Sequence, residues 1–453
     1  MYSARFPLRK PLDSRAQVKG ALVSRTAWWA SILLGLIVLG LCGGCVFRRL
    51  RKDLKAMAES LATLTGEVVS ASTESRSIMV VVWDADQPSQ NTLRYWPMYR
   101  PGEFRFVVPA PGHYRIMAFE DRNEDFVFQD HEPAAFYRDA PTAFVTAGQK
   151  LENIRIPLTS TDRVDLDFPL DLSSPAEAMT LESLTITYGE IVNIGDPRFT
   201  QDNASMGVWE PLRFLKEVGA GMYFLEPFDP AKTPVLFVHG LAGHPGQWKH
   251  IIETLDRNRV QPLLFFYPSG VRVQLVSDGL YQMMERLRAR YKFKDIHVVA
   301  HSMGGLVGRG FLNNLVRQES PMKVPVFASI ATPWGGHEAA ELGVKHAPAV
   351  VPSWLDMLPG SAFQDRLWQT PLPTETTYYL LFGYRGEDRT FMDRNNDGTV
   401  ALSSALDLRA QAEATKTYGF FEDHVSILAN REAACLLNGH LQSRATPSIV
   451  RPR

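Results

Sequence analysis

Cysteine is scarce, and an excess of either charge is missing. The 453 residues include three cysteines, Cys42, Cys45 and Cys435. Two of them lie in or beside an N-terminal apolar run, so a structural disulfide is not expected, and cysteine usage leaves the compartment open. Basic and acidic side chains balance, 48 against 49, for a formal net charge of -1. That balance removes the electrostatic footprint of a nucleic-acid binder, and no nucleic-acid partner is expected. Internal repeats and low-complexity tracts are absent too. The composition does supply 45% hydrophobic and 11% aromatic residues, enough for a chain of this length to bury the cores of two or three domains.

Charge is also absent from Ala27 to Phe47, AWWASILLGLIVLGLCGGCVF, which follows Arg5, Arg9, Lys10, Arg15, Lys19 and Arg25. The run matches the ~20 residues that a bilayer-spanning helix needs, so residues 27–47 are expected to meet a membrane. One reading is a retained signal anchor, with the body of the chain on the periplasmic or extracytoplasmic side. The other is a lipoprotein signal, because Gly43-Gly44 precedes Cys45, although Cys42 stands where Leu is usual. Arg48, Arg49, Arg51 and Lys52 follow at once, so both flanks are positive and the topology is weakly written.

Six segments are expected along the chain: a basic stretch 1–26, the apolar run 27–47, a solvated helical stalk 48–74, a small all-β sandwich 75–160, a connecting segment 161–230, and an α/β domain 231–453. The sandwich rests on short apolar or alternating runs, SIMVVVW, EFRFVV, HYRIMAF and LENIRIPL, punctuated by Pro101-Gly102 and Pro111-Gly112. Within it, PGHYRIMAFEDRNEDF resembles the strand and turn of transthyretin-like or carboxypeptidase-regulatory-like domains, which implies a module that binds or braces. Asp121, Asn123, Asp125 and Glu132 have the spacing of a calcium loop. Phe126 occupies the sharp turn where Gly is wanted, so a polar hairpin tip whose Asp and Asn satisfy their own backbone is preferred. In the connecting segment, Ser183 to Tyr188 reads as a strand and Trp209 to Val218 as a helix.

After Pro234 the strands PVLFVHG, LLFFYP, IHVVAHS, VPVFASIATP and TYYLLFGY lack alternation and are spaced by helical stretches. That pattern predicts a doubly wound, mostly parallel sheet covered on both faces. The segment from Ile296 to Arg309, IHVVAHSMGGLVGR, is a buried strand, a turn of small residues and a helix. A serine on such a turn projects its hydroxyl above the sheet, which makes Ser302 a candidate nucleophile, with Ala300 replacing the first glycine of the G-x-S-x-G pattern. The N–H of Met303, at the start of the helix, could stabilise an oxyanion, and so could that of Leu241, in the VHGLAG turn that ends an earlier buried strand.

Together VHGLAG, HVVAHSMGGLVGR, ASIATPWGG, NNDGTVALSSA and DHVSIL resemble the lipase and PGAP1-like serine-esterase branch of the α/β-hydrolase superfamily, over roughly Pro234 to Leu437. The resemblance implies a triad in the order Ser302, Asp397, His424, with Leu241 and Met303 as oxyanion donors. It implies ester hydrolysis through an acyl-enzyme, on a small-molecule or lipid ester and without a cofactor or metal. Asp393 and Asp407 are rivals of Asp397 for the acid, and His337 and His346 of His424 for the base; the remaining histidines read as surface or turn residues. Asp423 is expected to be solvated. Asp393, Asn395, Asp397 and Gly398 mimic the start of a calcium loop, but Ser404 stands where its last carboxylate belongs. The insertion from Thr332 to Thr376 carries Trp334, Trp354, Leu355, Met357, Leu358, Phe363 and Trp368, which fit either a lid over an acyl pocket or a packed cap. An acyltransferase using the same triad and a non-catalytic membrane-anchored scaffold remain the alternative readings.

Overall fold

The computed structural model describes residues 44–70, 76–88, 93–137, 142–173, 178–181, 184–386 and 395–444. Most of the apolar run 27–47 lies outside these residues, as does Asp393. Met1–Val46 and Phe47–Arg453 form separate units, and the second holds the sheets and the candidate site. Among the described residues no helix is long and apolar enough to cross a membrane.

The second unit begins on helix α1 (44–60), the segment expected to be a solvated stalk. It is packed instead. Leu50, with no exposed surface, meets Val208 and Val351, and Phe47 and Leu54 extend the same apolar stripe. The Asp53 carboxylate accepts the N–H groups of Leu212 at 2.8 Å and Arg213 at 3.0 Å. Farther along the expected stalk lies strand β1 (Leu61–Val69), whose buried Ala62, Leu64 and Val68 have the two-residue period of a sheet face.

Strands β2 (Ile78–Asp84), β3 (Arg94–Met98), β4 (Glu103–Pro109), β5 (Gly112–Glu120), β6 (Ala134–Phe136), β7 (Ala143–Val145) and β8 (Lys150–Pro157) complete the strand-rich region. One sheet runs β4-β1-β8 and the other β3-β2-β5-β6, with β7 paired to β5. Leu64, Phe106 and Ile156 of the first share a core with Val80, Val82 and Ile116 of the second. The opposite face of the second sheet, Met79, Val81, Met117 and Phe119, is covered by Phe126, Phe128, Leu170 and Leu172.

A nine-stranded sheet of order β17-β16-β15-β14-β12-β13-β11-β10-β9 fills the rest. Its strands are β9 (Ala178–Leu181), β10 (Leu184–Ile191), β11 (Ala220–Phe224), β12 (Thr233–Val238), β13 (Val260–Phe266), β14 (Asp295–His301), β15 (Lys323–Ile330), β16 (Thr377–Gly383) and β17 (Lys416–Phe420). From β13 to β17 every pairing is parallel, and β11 turns the direction by pairing antiparallel to β13. The sheet therefore starts in the segment expected to be a connector. The added strands AMTL, LTITYGEI and AGMYF are interrupted by Thr or Gly, so they lack the apolar runs that mark the others.

Helices α2 (Gln201–Trp209), α3 (Pro211–Glu217), α4 (Lys249–Glu253), α5 (Val273–Tyr291), α6 (Met303–Arg317), α7 (Glu338–His346), α8 (Pro352–Asp356), α9 (Ala362–Leu367), α10 (Leu402–Ala405), α11 (Leu408–Glu413) and α12 (Arg431–Arg444) flank this sheet and its loops. α5 also carries the strand-rich region. Tyr281 donates to the Pro97 carbonyl at 2.7 Å, Tyr99 to buried Glu285 at 3.1 Å, and Arg105 pairs with Asp278 at 2.7 Å. Buried polar contacts of this kind tie the two regions together rather than tethering one as a loose module.

Candidate active site

Ser302 sits between β14 and α6 with φ 55° and ψ -131°, a left-handed backbone that a non-glycine residue adopts only when its surroundings force it. Its N–H donates to the Ile330 carbonyl at 2.8 Å, which locks the turn to the neighbouring strand. Two glycines make the crowding tolerable. A Cβ on Gly240 would stand 2.6 Å from the Ser302 Cβ, and one on Gly304 would press into the carbonyl oxygens of Val238 and His239. The close approach of Gly240 brings the turn that leads into Leu241 against Ser302. Met303 opens α6, so its N–H has no intrahelical acceptor. Among the described residues the Leu241 N–H also has no protein acceptor.

The Ser302 hydroxyl lies 2.9 Å from His424 Nε2, and His424 Nδ1–H donates to Asp397 Oδ2 at 2.7 Å. All three are buried, at 9%, 7% and 1% exposure for Ser302, His424 and Asp397. The other Asp397 oxygen accepts the N–H groups of Val400 at 2.7 Å and Thr399 at 3.0 Å. Burial pushes this carboxyl up, but the hydrogen bond and charge of His424 and the two backbone donors outweigh it and hold the group below the usual carboxylate range. The main chains are tied as well, His424 N–H donating to the Asp397 carbonyl at 2.8 Å.

The rivals lie elsewhere or have other partners. Asp407 caps α11, accepting the Arg409 N–H at 2.9 Å and pairing with its guanidinium. His337 caps α7 and lines a cleft of about 220 Å³ with Thr399, Val400 and Ser404. Burial, with the nearby His424, pulls its pKa down to about 4. His346 is exposed in the last turn of α7. Asp423, expected to be solvated, pairs with Arg385 at 2.8 Å and accepts the N–H groups of Val425 and Ser426.

Three buried histidines, His239, His297 and His301, were missed as surface or turn residues, and two of them brace the site. His301 Nε2–H donates to the His424 carbonyl at 2.7 Å, and the two rings lie 4.8 Å apart. His239 Nδ1–H donates to the Gly240 carbonyl at 2.8 Å, and its ring stacks on Tyr267. Burial lowers both pKa values to about 3, so both rings are neutral props for the turns that carry His424 and Leu241. A histidine closing an otherwise apolar strand was the available signal.

The Thr332 to Thr376 insertion is largely packed. Trp334, Met357 and Phe363 are buried, and Asp356 accepts Arg272 Nη2 at 2.6 Å and the Val273 N–H at 2.7 Å. Leu241 and Trp354 pack against a buried cluster that includes Leu50 and Val351. At the Asp121 tip, Asp121 accepts the N–H groups of Asp125 and Phe126, and Glu132 accepts those of Arg122 and Gln129. Among the described residues no group of three or more His, Cys, Asp or Glu side chains is arranged to hold a metal ion.

Residues 233–371 match the family model of the alpha/beta hydrolase fold, a match that does not reach the strand-rich region. Among solved structures, the mature Bacillus licheniformis lipase BlEst2 is similar at 20% identity and a TM-score of 0.41, over 49% of this chain and 98% of that one. Aspergillus fumigatus lipase B is similar at 18% identity and a TM-score of 0.38, over 50% of this chain and 56% of that one. Phospholipase PlaB of Legionella pneumophila is similar at 19% identity and a TM-score of 0.30, over 39% and 45%. No curated protein matches the chain. With its strand order and its strained turn at Ser302, the segment 233–371 has the alpha/beta hydrolase fold.

Proposed function

We propose that the chain is a serine hydrolase of carboxylic esters, with Ser302 as nucleophile, His424 as base and Asp397 as the acid that orients it. The observation that carries this reading is the unbroken series Ser302 Oγ to His424 Nε2 at 2.9 Å and His424 Nδ1 to Asp397 Oδ2 at 2.7 Å, on a strained strand-to-helix turn. As Ser302 attacks the acyl carbon, its proton passes to His424 Nε2. The carbonyl oxygen gains negative charge and is held by the N–H groups of Leu241 and Met303. His424 then returns the proton to the leaving alkoxide, which departs as an alcohol and leaves an acyl-enzyme. Water, deprotonated by the same histidine, releases the acid and restores Ser302.

A lipid or other acyl ester is the substrate class implied by the lipase-like resemblance of VHGLAG, HVVAHSMGGLVGR and DHVSIL. The charge-free run 27–47 supports a membrane anchor with the catalytic body on the extracytoplasmic side. The test is to treat the full chain with a fluorophosphonate probe and with p-nitrophenyl esters of increasing acyl length. Labelling that is lost in Ser302→Ala, and turnover that rises with chain length, are the expected results. A folded protein that neither labels nor turns over any ester would overturn the reading.

A further inference from the structure

A cleft of about 260 Å³ lies along α5, bounded also by α1, β3, β4 and β10, and neither Ser302 nor His424 lines it. Its walls are mainly apolar, including Met57, Leu61, Leu184, Ile186, Leu275 and Met283. Three arginines line it, and Arg105 is paired with Asp278, which leaves the guanidinium groups of Arg94 and Arg286. Arg286 lies 4.8 Å over the ring of Tyr95 and 4.9 Å over that of Tyr188, and donates to the Leu93 carbonyl at 3.0 Å. Arg94 donates to the Val107 carbonyl. Among the described residues neither arginine has a carboxylate partner. The one carboxylate in the wall, Asp278, is taken by Arg105 at 2.7 Å, Gln274 at 2.8 Å and Asn314 at 3.0 Å.

Against burial, Tyr188 and Tyr95 hold the Arg286 pKa up, whereas at Arg94 burial prevails, and a cation beside apolar walls without counter-charge is costly. Burial, together with the repulsion of Arg286, pulls the Arg94 pKa down to about 10. An anion bound between the two guanidinium groups would remove that cost. The planar fork of Arg fits a carboxylate through two parallel hydrogen bonds. The apolar walls call for a hydrocarbon attached to that head group. The volume falls just below the roughly 300–1,000 Å³ of sites for drug-sized ligands, which favours one narrow chain over a two-chain lipid.

We propose that this cleft is a second ligand site that binds a long-chain carboxylate, its head group on Arg94 and Arg286 and its alkyl chain against Met57, Leu184, Ile186 and Met283. The site goes beyond the reading of Ser302 and stands whether or not Ser302 turns over an ester. To test it, the full chain carrying Ser302→Ala is held in amphipol and titrated with 11-(dansylamino)undecanoate. Expected is saturable, blue-shifted emission that oleate displaces at least about tenfold better than oleyl alcohol, which has the same chain without the charge. Arg94→Gln and Arg286→Gln should each weaken the probe by at least about tenfold, and Arg94→Lys by less. Without ligand, Arg94→Gln should unfold at the parent temperature or above, since it removes an uncompensated charge; that separates a lost ligand contact from a damaged fold. Equal displacement by oleate and oleyl alcohol, better displacement by a lysophosphatidate than by oleate, or undiminished binding in both Gln variants would overturn the proposal.

Discussion

Two turns in this molecule carry nearly the same residues and do different things. The Asp121 turn and the Asp397 turn both place alternating Asp and Asn in a short loop, and both resemble the start of a calcium site in sequence. At Asp121 both carboxylate oxygens accept backbone N–H groups of the loop itself, from Asp125 and Phe126. At Asp397 one oxygen accepts Val400 and Thr399, and the other is left for His424. The electrostatics diverge accordingly. Burial, with Glu132 and Asp125 nearby, pushes Asp121 up to about 6 despite its backbone donors, whereas His424 helps to hold Asp397 below its usual range. On the proposed reading, an acidic turn becomes chemically useful when one oxygen is spared from its own backbone and an imidazole is brought to meet it.

The sharpest way to break this comparison is to neutralise each aspartate. Asp397→Asn keeps the turn but leaves His424 without an anionic acceptor, so kcat on a p-nitrophenyl ester should drop by about 10⁴-fold. Asp121→Asn, far from Ser302 in the chain and tied to its own loop, should leave kcat within about twofold. Equal losses would mean that Asp397 is only a second structural turn. A step smaller is Gly240→Ala. The new methyl would meet the Ser302 Cβ at 2.6 Å, and a displacement near 1 Å costs on the order of 10²-fold in rate. Turnover at the parent rate would show that the Leu241 turn lies clear of the reacting groups.

Where the chemistry sits in contiguous motifs, the sequence could be read. IHVVAHSMGG determines a strand, a turn and a helix from adjacent residues, and DHVSIL and NNDGTV each hold their key side chain in a tight loop. Features built from distant segments were not legible. The role of His301 depends on a carbonyl 123 positions away. The burial of Leu50 depends on Val208 and Val351, which the local charge of RKDLKAMAES concealed. Ser183 to Tyr188 reads as a strand and β10 forms there, but its place in the large sheet, with β9 and β11, comes from pairing with one another and with β13.

The comparison also predicts opposing responses to pH. His239, His297 and His301 have pKa values lowered by burial to about 3, 4 and 3. In the unfolded chain each takes up a proton below about 6.5. As pH falls from about 6.5 the unfolded state binds more protons than the folded one, and stability declines by about 2 kcal/mol per histidine at pH 5. Asp121 acts in the other direction. Its folded pKa of about 6 lies above the ordinary 3.8, so its contribution falls as pH rises through that interval. Urea unfolding between about pH 4 and 7 should therefore show His301→Gln with a shallower acid loss than the parent, and Asp121→Asn with a steeper one. Parallel curves for all three proteins would sink the assignment of neutral histidines.

The smallest effect sharpens the choice of acid. Asp407 accepts the Arg409 N–H at the start of α11 and holds its guanidinium at 2.8 Å. It lines the cleft beside the Asp397 turn together with His337, so proximity alone does not separate the two aspartates. Their hydrogen bonds do. Asp407→Ala should cost about 1 kcal/mol through the lost cap, and leave fluorophosphonate labelling of Ser302 at the parent rate. Asp397→Ala should slow that labelling steeply if His424 is the proposed base, because it would lose its orienting partner. If Asp407→Ala slowed labelling as much as Asp397→Ala, the cap would be part of the relay, and the sparing of one carboxylate oxygen would no longer mark the turn that matters.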